Sequence, residues 1–439
     1  MATDSTVTTA LPARLKTFFG AFLFSCFCTG TVVPFNVIYL SDVRQYSVGF
    51  IGVALAAIAA AGLCVNPIGG ILADRRGPAP VSFLGAVLQG TGWAIIGLAP
   101  RPWLTLLGAV VVGAGNGLFH SALTPFFVRA AHGVPMKRVS AIRYWISNVG
   151  AGGGAAIGAL LGLQHDTRSF ELLYVVNAAS FALLGITMAL IAWGARATPE
   201  AATAASPPKP IVRFAPYRDS TFRLVLAVQF VTVLFGFAQA DSAVPVLVSD
   251  RLHQSLLVVG GMSALNTVVV VIAQLPLTRW TANVTETVLL GVVGALWTIA
   301  YGFGCVASVV TSTGLRLGLL AGFAVVFAVG ECLLSLSVMP LVVRLAPKEA
   351  LGRYSASMAM TFAGAFGLGP AAGLFIVTAM PAAMFWVILA LATLILMGIA
   401  VQLHGRIAAL DYAGRHRRTA EDVPGSIYSV SGRYATISR

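Results

Sequence analysis

Charge is what this sequence lacks most. Asp, Glu, Lys and Arg make up 10% of its 439 residues against 58% apolar residues, with a mean hydropathy of +0.87. That balance lies well outside the usage of soluble globular domains and points to an all-α membrane protein. Cysteine is also scarce. All five (Cys26, Cys28, Cys64, Cys305, Cys332) fall inside apolar runs, without metal-ligand spacing or a pair in a loop. They read as small packing residues. The GxxxxGK[ST] loop that cradles nucleotide phosphates is absent. No cofactor is therefore expected, and any work is driven by an ion gradient, here a proton gradient, or by the substrate's own. GxSxG and HExxH are absent too, and one histidine, His120, lies well inside an apolar run. An intramembrane hydrolase would have neither a nucleophile with its base nor metal ligands in register.

Long apolar runs, by contrast, fill the chain. A helix needs roughly 20 apolar residues to cross the hydrocarbon core. Twelve runs meet that requirement: 17–40, 48–73, 81–99, 103–127, 139–163, 172–194, 221–247, 256–278, 287–309, 316–341, 354–378 and 382–404. The first follows sixteen polar-leaning residues and lacks a small-residue cleavage site, so it is expected to stay as a span. The net charge of +13 is unevenly placed. With both termini cytoplasmic, the inner segments hold 22 of the 28 Lys and Arg, the outer loops hold Arg44, Arg101, Arg168, Arg251 and Arg316, and Arg143 lies within a span. The positive-inside rule selects that orientation, in the cell membrane. The charge then serves insertion and anionic headgroups, and nucleic acid is not expected as a partner. The organisation expected is a tail (1–16), a six-helix half (17–194), a Pro-rich linker (195–220), a second six-helix half (221–404) and a basic disordered tail (405–439).

The two halves are copies. At an offset of 215, residues 115–158 and 330–373 agree at 13 of 44 positions, including Pro125/Pro340, Arg129/Arg344, Arg138/Arg353 and Gly158/Gly373. Ser41-Asp42 and Ser249-Asp250 repeat similarly. At matched places in the copies stand Asn116 and Glu331. An ionised carboxylate at the bilayer centre costs several kcal/mol unless paired or solvated, and such residues are functional by default.

The second run ends Gly70-Ile-Leu-Ala-Asp74-Arg75-Arg76-Gly77. Glycine four before the aspartate allows close helix approach, and Gly77 permits a tight turn. Placed between the second and third of twelve spans, this string resembles the GxxxDRxGR signature of the major facilitator superfamily of transporters. The resemblance implies twelve helices in two pseudo-symmetric halves that rock around a central cavity, with Gly70, Asp74, Arg75 and Gly77 forming a conformational latch. Pro78 and Ala79 stand where basic residues usually follow, and the second half keeps only a worn copy, Pro276, Arg279 and Asn283. Within the superfamily the chain looks most like the twelve-helix drug and metabolite:proton antiporters. Gly150 to Gly158 resembles their GxxxGPxxGG signature with Ala155 for the proline, which appears instead as Pro370 in the other copy. The arginine usual in the fourth helix of the exporters is Ala109 here.

These observations assign proton coupling to Glu331 and Asp241. They assign a substrate cavity to Asn36, Asn116, His120, Arg143, Asn148, Gln239, Asn266 and Ser335. The function expected is proton-coupled export of a small amphipathic or hydrophobic compound by a monomer, with protons, that compound and the lipid bilayer as partners. Ala109 and Ala155 keep a proton-linked importer or a facilitator as the alternative. A non-transporting receptor or scaffold would normally append a soluble domain, for which the 35-residue tail is too short.

Overall fold

The structure, a computed structural model, describes residues 11–131, 133–162, 167–196 and 216–421. The expected linker lies largely outside the described residues, as do residues 1–10 and 422–439. Among the described residues there is no strand. Twelve long helices follow in order: α1 (Ala13–Val32), α2 (Val48–Arg76), α3 (Pro78–Leu98), α4 (Pro102–Ala130), α5 (Met136–Gly162), α6 (Thr167–Arg196), α7 (Ser220–Thr232, continued in shorter pieces to Arg251), α8 (Leu256–Trp280), α9 (Glu286–Val309), α10 (Thr313–Ser335), α11 (Leu351–Ala379) and α12 (Ala382–Glu421). Among the described residues, eleven helical segments are long and apolar enough to cross a membrane. α5 falls short although it has 27 residues, because Asn148 and its glycine run dilute its hydropathy. Two expectations shift. Residues 13–16 already belong to α1, and residues 405–421, expected to be disordered, continue α12 as a helix.

Local chemistry explains where the helices begin. Asp219 accepts from the amides of Thr221 and Phe222 (2.9 and 3.0 Å), and the Ser47 and Ser312 side chains cap α2 and α10. Pro78 and Pro102 occupy first helical positions, where a missing N–H costs nothing. Gly77 turns the chain from α2 into α3 at φ +87°, a conformation that L side chains rarely adopt.

The duplication is visible at two matched corners. After α1 and after α7 the chain makes a π-helical turn (Tyr39–Val43 and Leu247–Arg251). In each, serine donates to the next aspartate at 2.6 Å (Ser41 to Asp42, Ser249 to Asp250). A non-glycine residue at positive φ follows, Gln45 at 55° and His253 at 52°, and then the N-cap serine of the next helix, Ser47 or Ser255.

Packing follows the halves. The largest buried apolar cluster draws all its members but Ala141 from residues 222–407, and a second gathers Phe18, Phe22, Phe126 and Phe127. α1 and α5 meet backbone to backbone. A Cβ on Gly154 would lie 2.0 Å from the Phe27 carbonyl oxygen, whereas one on Gly153 would meet only Phe27 ring atoms at 3.6 Å. Gly154→Ala should therefore cost about 1–3 kcal/mol by overpacking. Its thermal midpoint in detergent should drop while that of Gly153→Ala stays put; equal midpoints would refute the tight seam.

Candidate functional site: a central cavity closed at one end

The halves touch at one end and part at the other. At the closed end Gly70 on α2 lies against α11, where a Cβ would come within 2.7 Å of the Gly352 carbonyl oxygen and of Ala356 Cβ. This approach brings the Asp74 carboxylate onto the first turn of α11. It accepts from Gly352 N at 2.6 Å, Arg353 N at 3.3 Å and Arg353 Nε at 3.0 Å. An anion there satisfies orphan amides and complements the helix dipole. Arg75 takes no part: it is exposed and has no hydrogen bond or ion pair among the described residues. The contact between halves expected of Asp74 and Arg75 is made by Asp74 with the opposite half's Arg353.

A second seam joins α5 to the C-terminal half. Ser140 Oγ donates to the Ser335 carbonyl at 2.5 Å, and Trp145 Nε1 to the Val271 carbonyl at 2.9 Å. Lys137 reaches the Val284 carbonyl and pairs with Glu286 at 3.4 Å. Glu286 is bridged by Arg344 (3.4 Å), which also holds Asp411 on the α12 extension at 2.5 Å. Sequence spacing gave no sign of this four-residue chain, since its members come from four separate helices.

At the other end the first turns of α2 and α8 stand clear: Val48, Leu256 and Leu257 are 84%, 79% and 84% exposed. Between that end and the middle lies a cavity of about 320 Å³, its wall including Tyr144, Asp241, Asn266, Phe327 and Glu331. Glu331 is 6% exposed, and its Oε2 accepts from Asn266 Nδ2 at 2.9 Å. Asp241 is exposed in the cavity and has no hydrogen bond or ion pair among the described residues. Among the described residues no Lys, Arg or His lines the cavity, so neither carboxylate faces a cation there. Phe327 stacks on Trp297 (centroids 4.7 Å, 14°), whose Nε1 donates to the Phe327 carbonyl at 3.1 Å, which makes that wall rigid.

Asp241 owes its position to a broken helix. α7 loosens into a π-helical turn at Val233–Phe237 and breaks at Ser242 (φ −129°, ψ −72°). The carbonyls freed by the turn are taken by side chains: Leu234 O by Gln239 Nε2 at 2.7 Å and Phe235 O by the Tyr301 hydroxyl at 2.6 Å. Such turns concentrate at functional sites.

Of the residues assigned from sequence, the structure brings Glu331, Asp241, Asn266 and Asn148 together around this cavity. Others stand elsewhere. Asn36 is buried and accepts from the Tyr174 hydroxyl at 2.7 Å, packed inside the N-terminal half. Gln239 is wedged against Gly373, donating to the Gly369 carbonyl at 3.0 Å, so it holds α7 to α11. Ser335 lies in the seam under the cavity, accepting from Gln274 Nε2 at 3.1 Å. Asn116 is half-buried and His120 exposed, one turn apart on α4; Arg143 is half-buried on α5; none of the three is among the cavity's lining residues. Sequence reasoning missed Tyr144, although it stands one turn before Asn148 on the same face.

The family model described as Major Facilitator Superfamily matches residues 18–314, more than half of the chain. The chain belongs to the Major Facilitator Superfamily. Among its relatives, the uncharacterised MFS-type transporter YqjV of Bacillus subtilis (strain 168) is 25% identical over 331 residues, 71% of this chain and 74% of that protein. Multidrug resistance protein MdtH of Enterobacter sp. (strain 638) is 28% identical over 261 residues, 57% of this chain and 59% of that protein, so that alignment spans less than two thirds of MdtH. Among solved superfamily structures, a bacterial homologue of the iron transporter ferroportin in an outward-facing state superposes with TM-score 0.72 at 14% identity, covering 90% of this chain and all of that one. FucP in the outward conformation superposes with TM-score 0.64 at 14% identity, covering 89% and 98%. At these identities the superpositions establish the fold. This superfamily member is thus a multi-pass membrane transporter with two pseudo-symmetric helical halves.

Proposed function

We propose that the protein exports a small amphipathic compound in exchange for protons, by alternating access. The observation that carries this reading is Glu331: a carboxylate at the inner end of the cavity, held by one neutral amide and faced by no cation. A carboxylate so placed is stable when it carries a proton or when a cationic group sits beside it, and the two occupants exclude each other. That competition is the coupling an antiporter needs. Asp241, nearer the open end, hands protons between the cavity mouth and Glu331. The state described is open toward the corners at 41–47 and 249–255 and shut at the Asp74 end. Positive-inside placement of Lys and Arg makes the shut end cytoplasmic. The likeness to MdtH supports a drug-like substrate.

A second reading, a proton-linked importer or a facilitator, draws on Ala109. That position is 1% exposed and carries no arginine for a fourth-helix relay. One experiment separates the readings. Amphipathic cations, antibiotics and sugars are added in turn to purified, weakly buffered protein while proton release is recorded. Release by wild type that disappears in Glu331→Gln is expected; binding without release, unchanged in the variant, would sink the antiporter.

A further inference from the structure

Arg143 is a charge without a mate. Its Nε is shut away from solvent with no hydrogen-bond partner, and its guanidinium forms no ion pair among the described residues. The titratable groups near it are Cys26, Tyr144 and His120, with no carboxylate among them. His120 is exposed, its ring edge-on to Phe119, and makes no hydrogen bond among the described residues. Burying part of a guanidinium inside a membrane protein is costly unless something supplies acceptors. Meanwhile Asp241 and Glu331, in the other half, have no cation. Opposite charges that could cancel are instead kept on separate halves. Arg143 is not itself a lining residue, but its neighbour Tyr144 lines the cavity and lies within electrostatic range both of Arg143 and of Glu331 and Asp241, so the cationic and acidic poles flank the same tyrosine. Aromatic side chains, Phe237, Phe323 and Phe327, also line the cavity.

We infer that the transported molecule is amphoteric: a carboxylate or similar anionic group binds Arg143 with His120, an aromatic body lies along the phenylalanines, and a protonated amine faces Asp241 and Glu331. This assignment rests on the reading of the cavity as a transport site and adds the chemical class of its cargo.

The test uses three fluorescent probes on one scaffold: Nε-dansyl-lysine, which carries both charges, its methyl ester, which keeps only the amine, and its Nα-acetyl derivative, which keeps only the carboxylate. Binding to the purified full-length protein is followed by dansyl emission. Wild type should bind the amphoteric probe roughly ten- to a hundredfold tighter than the ester, the worth of a charge-assisted contact. Arg143→Gln should bind acid and ester alike, and Arg143→Lys should restore the preference. Equal wild-type affinities for acid and ester, a preference that survives in Arg143→Gln, or no binding of any probe would each overturn the assignment. Should Arg143→Gln fail to fold, the wild-type ratio and the Lys variant still decide. Proton release by other compounds, lost in Glu331→Gln, would leave the transport reading standing in that event.

Discussion

Replacing Glu331 by Gln should leave a protein that equilibrates its substrate across the membrane but no longer concentrates it. Glutamine keeps the shape of the protonated acid and can still bond the Asn266 amide, so the cavity should survive. What goes is the exchange of a proton for cargo. A gradient of two pH units carries about 2.7 kcal/mol per proton, enough for an accumulation of roughly a hundredfold. In proteoliposomes loaded across such a gradient, using any compound that evokes proton release from the wild type, the Gln variant should accumulate no more than it does without the gradient. Counterflow of labelled against unlabelled compound should persist. Gradient-driven accumulation at the wild-type level would remove Glu331 from the coupling step.

The second large effect concerns the closed end. Asp74→Asn keeps the size of the side chain but trades a charge, and one acceptor, for an amide on the first turn of α11. Charge-assisted hydrogen bonds and the helix dipole together make the loss about 2–4 kcal/mol. If the opposed state lacks this contact, the equilibrium between states shifts by roughly two powers of ten. Spin labels at Val48 and Leu256, both exposed at the open end of opposite halves, report it once the native cysteines are replaced. The wild type should show a single long distance, and the variant a second, shorter population. An unchanged distribution would mean that the α5 seam alone holds the closed end.

Much of this was legible in the sequence because membranes impose one-dimensional rules. Run length gave the helices, and the repeated Pro, Arg and Gly positions gave the two halves. Glu331 announced itself because a carboxylate amid apolar residues has few structural excuses. What stayed hidden depends on which way a side chain faces. Asn36 and Gln239 are as polar as Asn266, yet one is spent on Tyr174 and the other on the α11 backbone. Arg75 completes the loop signature by its spacing but points away from the seam. Its partnering role falls to Arg353, 278 residues after Arg75. Lys137 lies in the first turn of α5 and Glu286 begins α9, and only the packing of α5 against the C-terminal half brings them together. The helical continuation of α12 is not legible because its charge-rich composition matches that of a disordered tail, whereas in the fold Asp411 has Arg344 to hold it.

The twin corners show what duplication preserved. Gln45 and His253 share an uncommon backbone angle although their side chains differ. The bend was kept while the residue making it drifted. The same freedom runs through the interior: Arg143 and His120 stand in one copy, Asp241 and Glu331 in the other. A homodimer of a single half would carry each such arginine and carboxylate twice, once in each subunit. Joining the copies in one chain is what allowed the cavity to have two different sides.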